Sequence, residues 1–172
     1  VERQALDRNM MGFNGTSAAP TTDRATHPLL EDVNVGWLEK YRTKAPERVL
    51  SSGKVAGKVT IGPTGDYKTL DGLVYDAIQL LDPWHRKRPD LVVLVARNLL
   101  HAKFLANIEG AADNENELAA ARILANGTLG GLPIEDAPFF IDGGIMITTL
   151  KNLSIYLQIS SRRRMTKDEP ER

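Results

Sequence analysis

The residues best suited to acid–base or metal chemistry are three histidines, His27, His85 and His101. A histidine that binds a metal or moves a proton needs a second ligand or a carboxylate at a suitable spacing. None of the three has such a neighbour: His27 precedes Pro28 in a loop, His85 lies in a polar run, and His101 falls off the apolar face of its predicted helix. We interpret all three as ordinary surface or half-buried residues.

A glycine-rich run, Gly53–Val59, superficially resembles a phosphate-binding loop. A Walker loop has four residues between its glycines, then Lys and Ser or Thr, and it opens a helix. Here three residues separate Gly53 from Gly57, Val59 follows Lys58, and no helix is predicted next. The sequence also lacks the Gly-x-Ser-x-Gly elbow of hydrolases. It has no cysteine, which excludes thiol catalysis and Cys-based zinc sites.

Clusters of charge are the remaining candidates for chemistry. We interpret Asp113, Glu115 and Glu117 as the solvated start of a helix, where negative charge is favourable, rather than as an acid–base pair. The basic runs Arg86–Arg88 and Arg162–Arg164 are suited to phosphate or acidic protein surfaces, although a solvated loop and a strand end are the preferred interpretations. The chain has 22 basic and 22 acidic residues, so no overall field attracts nucleic acid. No enzyme and no cofactor are predicted.

The elements that would position these residues follow from the spacing of apolar side chains. Leu70–Leu81 has a continuous helical stripe, capped by Asp66 or Thr69, and Leu91–Val95 is typical of a strand buried on both faces. Asn98 is predicted to cap the next helix, which runs through about residue 108. Other predicted elements are a first helix ending at Gly12, a helix over 31–42, a hairpin within 49–61, a helix over 115–124, a tight turn at Gly130–Gly131, and strands over 145–149 and 153–159. This mixture indicates an α+β fold with helices packed on a small mixed sheet.

Length and composition place the 172 residues in one domain with an extended arm over Thr16–Pro28. No apolar run approaches the roughly 20 residues that span a bilayer, so no membrane partner is expected. Val1–Met11 has helical spacing without a cap and without the features of a signal peptide, which predicts an internal fragment of a longer protein.

Several segments, in order along the chain, carry a family resemblance. They are Met11–Thr16, His27–Arg42, Ala45–Val49, Gly65–Tyr67, Leu70–Asp71, Asp90–Val93, Gly131–Pro133, Leu150–Tyr156 and the arginines at 162–164. This colinear series resembles the P2-like major capsid proteins of tailed bacteriophages and covers essentially the whole chain.

The resemblance implies the Hong Kong 97-like capsid fold. Residues 1–64 would hold the end of the spine helix, an arm, a short helix and a hairpin of the peripheral part. Residues 65–160 would form the axial domain, and residues 161–172 a polar tail. The implied function is that of the major capsid subunit, a structural protein of a phage or prophage virion that assembles into the icosahedral head shell.

The partners implied by the resemblance are other copies of the chain, in capsomers of five and six, together with scaffolding and portal proteins. Packaged DNA would be met indirectly, and the location would be the virion capsid, with the host cytoplasm during assembly. Loops over 108–116 and 126–131 would face the capsomer centre. The candidate subunit-interface residues are Trp37, Asn114, Asn126, Arg162, Arg163 and Arg164.

Two other hypotheses come from different classes. One is a small α/β enzyme or nucleotide-binding domain built around Leu91–Val95 and the helix at Asn98, since anions bind at helix N-termini. The other is a non-capsid shell or compartment protein with the same fold.

Overall fold

The computed structural model describes residues 2–109 and 127–156 of the chain. Its helices are α1 (Glu2–Asn14), α2 (Trp37–Lys44), α3 (Leu70–Ala77) and α4 (Arg97–Glu109). Its strands are β1 (Leu91–Val95), β2 (Thr128–Leu129), β3 (Leu132–Glu135) and β4 (Ile145–Thr149). Short 3-10 turns cover Pro46–Arg48, Ile78–Leu80 and Leu150–Asn152.

The four strands form one mixed sheet in the order β2-β3-β1-β4. Strand β1 runs parallel to β3, with Val93 opposite Ile134, and antiparallel to β4, with Val93 opposite Ile147. All five residues of β1 are buried. The predicted α+β class, the mixed sheet and the doubly covered strand at Leu91–Val95 are therefore confirmed.

Strand β1 sends alternate side chains into two hydrophobic clusters. Val93 and Val95 pack with Leu70, Leu73, Val74 and Leu129 on one side of the sheet, where α3 lies. Leu94 packs with Phe13 and Met146 on the other, beside α1 and α2. Each fully buried side chain of this size contributes about 1.5–3 kcal/mol of gross stabilisation. Strand β1 thus contributes to both hydrophobic clusters and links α3 on one face of the sheet to α1 and α2 on the other.

Helix α3 begins at Leu70, and of the two predicted caps, Asp66 and Thr69, the cap is Thr69, whose Oγ1 accepts a hydrogen bond from the Gly72 N–H at 3.1 Å. The regular helix ends at Ala77 and continues as a 3-10 turn to Leu80, so it is shorter than the apolar stripe predicts. Asp71 ties the helix to its neighbours: it accepts from Lys103 Nζ of α4 at 2.7 Å and from the Gly130 N–H at 3.1 Å.

The turn predicted at Gly130–Gly131 is present and joins β2 to β3, with φ of +57° and +85° at the two glycines. Residues other than glycine are disfavoured at such angles. The flanking strands are not evident in the sequence, because β2 has two residues and β3 contains Pro133.

Two helix boundaries differ from the predictions. Helix α1 passes through Gly12 and ends at Asn14. Helix α2 begins at Trp37 rather than near residue 31, because residues 22–34 are folded into turns. The buried carboxylate of Asp32 holds these turns by accepting hydrogen bonds from Thr22 Oγ1 at 2.8 Å and the Asp23 N–H at 2.9 Å.

Three further predictions need correction. The hairpin expected within 49–61 is reduced to one bridge between Val55 and Lys58. Asn98 lies inside α4 and is not its cap. Strand β4 confirms 145–149, but residues 153–156 are not a strand; 157–159 and the helix predicted over 115–124 lie outside the described residues.

Candidate interaction surface

The glycine-rich run at 53–59 surrounds a carboxylate of its own chain. Asp66 accepts hydrogen bonds from the Lys54 N–H at 2.5 Å, the Thr60 N–H at 2.8 Å and Thr60 Oγ1 at 2.6 Å. The Thr60 hydroxyl and then the backbone N–H groups of Lys54 and Thr60 lower the pKa of Asp66 to about 2. The Cα of Gly53 lies against this carboxylate. This carboxylate therefore occupies the Lys54 N–H within the run and the Thr60 N–H just after it, which a phosphate would otherwise compete for.

The basic run Arg86–Arg88 is largely engaged within the chain. Arg86 donates from Nε to the Leu81 carbonyl at 2.7 Å and from Nη2 to the Gln79 carbonyl at 2.8 Å, which closes the end of the 3-10 turn. Arg88 forms a two-pronged pair with Asp90, at 2.8 and 2.7 Å, and this guanidinium lowers the pKa of that carboxyl. Lys87 is exposed. The run is therefore a loop with two internally bound arginines and one solvated lysine, so the predicted solvated loop is only partly right, and the run is poorly arranged for a phosphate.

The histidines occupy three separate parts of the fold. His27 and His85 are half-buried and His101 is exposed. Across residues 2–109 and 127–156, no group of histidines and carboxylates is arranged to hold a metal ion. The carboxylates Asp113, Glu115 and Glu117 lie outside those ranges.

The N-terminus of α4, where a nucleotide-binding domain would hold its phosphates, faces a small pocket of about 270 Å³. Arg97 lines it together with the carboxylates of Asp136 and Asp142. The Oδ1 atom of Asn98 accepts hydrogen bonds from the N–H groups of Leu99 at 2.9 Å and Gly143 at 3.2 Å. An anion would meet two carboxylates here, so the pocket is poorly suited to phosphate.

Trp37, a predicted interface residue, is half-buried where α1, α2 and the segment after β4 meet. Its ring makes an edge-to-face contact with Phe13, with centroids 5.1 Å apart, and lies against Gly12. Its Nε1 donates to the Ser154 carbonyl at 3.4 Å. The contacts that the structure describes for Trp37 are thus with its own chain, and an interface role for it stays a prediction.

The other five predicted interface residues, Asn114, Asn126, Arg162, Arg163 and Arg164, lie outside the described residues. The predicted arm is exposed over 16–26 but follows its own chain: the Thr16 and Ser17 N–H groups donate to the Glu31 carbonyl, and Ala19 donates to the Asp32 carbonyl. The resemblance implies one of two positions for this arm, across an adjacent subunit or on its own peripheral part; the described hydrogen bonds are with its own chain, and a position across a neighbour stays a prediction.

Large exposed aromatic side chains mark the surface, and the sequence reasoning missed them. Trp84 is 71% exposed on the loop before β1, and Tyr75 is 68% exposed on α3. The sequence feature that could have revealed Trp84 was its place in a polar stretch between Pro83 and Pro89. Aromatic residues are enriched at protein interfaces.

A groove of about 720 Å³, here called the apolar groove, runs between α2, α3 and β4. Its walls include Leu38, Val59, Leu80, Leu81, Ile145 and Ile147. Three arginines and His85 also line it, but none of the carboxylates in the described part of the chain does. His85 is the one general-base type among these lining residues, and none of the described carboxylates lines the groove to orient it, so we consider the groove better suited to a protein surface than to substrate chemistry.

No helix in the described part of the chain is long and apolar enough to cross a bilayer.

Comparison with known proteins gives a consistent result. The family model described as phage major capsid protein, P2 family, matches residues 1–172. Among curated proteins, the "Capsid proteins" of Escherichia phage P2 are 44% identical over 177 residues, covering 99% of this chain and 50% of that protein. The "Major capsid protein" of Serratia phage KSP20 is 43% identical over 178 residues, covering 99% and 51%.

Among solved structures, a chain of the "Satellite phage P4 procapsid including size determination (Sid) protein" matches with a TM-score of 0.85 and 40% identity. The match covers 98% of this chain and 52% of that one. The chain therefore spans about half the length of the curated relatives it matches.

Proposed function

The chain belongs to the P2 family of phage major capsid proteins, and from this membership we propose that it forms part of the major subunit of an icosahedral phage or prophage head shell. The role is structural: the subunit presents surfaces that bind neighbouring subunits. The observation that carries the proposal is the likeness to a procapsid chain over 98% of this chain, at a TM-score of 0.85 and 40% identity.

We propose that the chain adopts part of the Hong Kong 97-like capsid fold. Helix α1 would be the end of the spine helix within a peripheral part over 1–64, residues 65–160 would form the axial domain, and 161–172 a polar tail. The mixed sheet with α3 packed on it supports this division, because those elements share one hydrophobic cluster. The two parts do not have separate cores, because Phe13 of α1 shares the other cluster with Leu94 of β1 and Met146 of β4.

Assembly would proceed through many copies of one weak contact. Subunits in rings of five and six repeat the same surfaces, so modest individual affinities still give a stable closed shell. We propose Arg162, Arg163, Arg164, Asn114, Asn126 and Trp37 as interface residues. Scaffolding and portal proteins would be further partners, and packaged DNA would be met indirectly. The location would be the virion capsid, and the host cytoplasm during assembly.

We also propose that the protein catalyses no reaction. The support is the engagement of the glycine-rich run with Asp66 and the carboxylates beside the α4 N-terminus. Thermal melts with a panel of nucleotides and divalent metals test this, because a ligand at 100 times its Kd stabilises the folded state by about 2.7 kcal/mol. A saturable rise in Tm with any nucleotide would favour the enzyme hypothesis.

The test of the main proposal is expression of the full-length gene followed by electron microscopy. Closed shells are expected from the wild type. The double charge reversal Arg163→Glu and Arg164→Glu is expected to reduce capsomers and shells, while Lys68→Glu, at an exposed lysine, should leave both unchanged. A folded wild-type protein that forms no shells under any tested condition would contradict the proposal.

A further inference from the structure

Trp84 combines high exposure with a place on a hydrogen-bonded loop. Its side chain is 71% exposed, and its indole ring is tilted against the His85 ring with centroids 6.0 Å apart. It lies on the loop over 82–90, which joins the end of the α3 region to the central strand β1. A single exposed apolar residue is common on protein surfaces. Trp84 therefore indicates a binding site only if the loop that carries it is well ordered.

Charged side chains order the backbone of the loop over 82–90. Asp82 pairs with Arg48 at 2.7 Å, which ties the start of the loop to the turn at Pro46–Arg48, and Asp90 pairs with Arg88 at 2.7 Å within the loop. Arg86 binds the carbonyl groups of Leu81 and Gln79, as described above. Part of the backbone entropy cost of presenting Trp84 to a partner is therefore met before binding, which favours affinity.

The backbone of the same loop is folded into consecutive turns. The His85 N–H donates to the Asp82 carbonyl at 2.8 Å, and the Arg88 N–H donates to the His85 carbonyl at 3.2 Å. His85 and Arg88 also line the apolar groove, so the loop that carries Trp84 forms part of the wall of the groove.

We propose that Trp84 anchors a contact with a second copy of this protein, the indole ring becoming buried in the neighbouring subunit while the loop over 82–90 holds it in place. This inference rests on the proposed function and names a contact that the function requires. Tryptophan residues that fill a partner's pocket are among the commonest energetic centres of protein interfaces.

Charge favours a second copy over nucleic acid as the occupant. The carboxylates of Asp82 and Asp90 compensate Arg48 and Arg88, which leaves Arg86 and Lys87 as the cations nearest to Trp84 along the sequence; of these two, Arg86 donates to the Leu81 and Gln79 carbonyls of its own chain. Binding to a phosphate backbone needs several cations on one surface. The likeness to a procapsid chain supports a further copy as the occupant, because subunits of a shell meet copies of themselves repeatedly.

The test replaces Trp84 in the full-length capsid protein and follows its environment directly. Shells are counted by electron microscopy for the wild type, Trp84→Ala and Tyr75→Ala, the last being a matched exposed aromatic on α3. Subtracting the fluorescence spectrum of Trp84→Phe from that of the wild type isolates the Trp84 emission, in free subunits and in shells.

The expected result is that shell yield falls about tenfold or more for Trp84→Ala, stays near wild type for Tyr75→Ala, and leaves the Tm of the free Trp84→Ala subunit unchanged. Trp84 emission should shift to shorter wavelength when subunits assemble. Normal shells from Trp84→Ala would overturn the proposal, as would an emission that stays that of a water-exposed indole.

Two results would assign Trp84 to another occupant and also overturn the proposal. One is an emission already shifted in the free full-length subunit, which would mean that the same polypeptide covers the ring. The other is a shift on adding DNA without assembly. If the wild type forms no shells, sedimentation at rising protein concentration tests the contact instead. Self-association of the wild type that Trp84→Ala abolishes would support the contact, and a wild type that does not self-associate would contradict it.

Discussion

The indole ring of Trp37 lies directly on the Cα of Gly12, so that the first residue of α2 fits into a position on α1 where no side chain stands. The same ring meets Phe13 edge to face at 5.1 Å. Phe13 in turn meets Phe140 at 5.2 Å, next to the sheet. The approach of α1 to α2 thus depends on a glycine within a helix, where glycine is otherwise unfavourable.

Gly12→Ala is expected to destabilise the protein, although alanine normally favours a helix over glycine by about 1 kcal/mol. The added Cβ would overlap the Trp37 ring, and overpacking of this kind costs about 1–3 kcal/mol. Urea unfolding measures the free energy of unfolding. The control is Gly72→Ala in α3, where the nearest atom to the new Cβ is the Thr69 hydroxyl at 3.3 Å. Equal effects of the two substitutions would contradict the expectation.

Leu30 is 5% exposed and has a φ of +59°, a left-handed conformation that costs a non-glycine residue about 1–2 kcal/mol. Leu30→Ala keeps this strain and loses the buried side chain, whereas Leu30→Gly loses the side chain and relieves the strain. We expect Leu30→Gly to be at least as stable as Leu30→Ala in urea unfolding. The control is Leu73 in α3, where Leu73→Gly should instead be less stable than Leu73→Ala by about 1 kcal/mol. If the glycine variant were the less stable one at Leu30 as well, that result would be inconsistent with strain at Leu30.

The hydrogen bonds to Asp66 predict a stability that depends on pH. The folded pKa is lowered to about 2 from the ordinary 3.8, so the unfolded chain takes up this proton first as the pH falls. The stabilisation is fully present above pH 3.8 and is lost as the pH falls from there through about 2. Asp66→Asn should therefore flatten the fall in Tm over this range.

Thermal melts of the wild type and Asp66→Asn between pH 6 and pH 2 measure this difference. Glu135→Gln, which removes an exposed carboxylate elsewhere, serves as the matched control. A pH profile of Asp66→Asn that runs parallel to that of the wild type would refute the role of this carboxylate.

Neighbouring cations in the basic run are expected to behave differently. Arg86→Lys removes the planar guanidinium that binds two carbonyl groups, and the loss of these bonds should cost about 1–3 kcal/mol. Lys87→Met should change the free energy of unfolding by less than about 0.5 kcal/mol because the side chain is exposed. Chemical denaturation of both variants distinguishes a structural arginine from a solvated one. An Arg86→Lys variant with the same free energy of unfolding as the wild type would indicate that Arg86 is solvated.

The elements whose apolar spacing is unambiguous were predictable from the sequence. The uninterrupted run Leu91–Val95 requires burial on both faces, and the cap at Thr69 follows from local hydrogen bonding. The start of α2 was not predictable, because the turns before it depend on a carboxylate, Asp32, that accepts bonds from Thr22 and Asp23.

The candidate surface was less accessible to sequence reasoning than the fold. The acceptors of Arg86 are the backbone carbonyls of Gln79 and Leu81, which no side-chain motif reveals. The exposure of Trp84 depends on how the loop over 82–90 is folded. The family resemblance, by contrast, is a property of residue order alone, and the match over residues 1–172 confirms it.

The central position of β1 has a consequence for synthesis of the protein. Its five apolar residues leave the ribosome well before their partners, since Val93 pairs with Ile134 in β3 and Ile147 in β4. Pairing between residues so distant in sequence is slow and leaves apolar strands open to aggregation. The nascent chain must therefore keep this segment from apolar contacts with other chains until β4 has emerged.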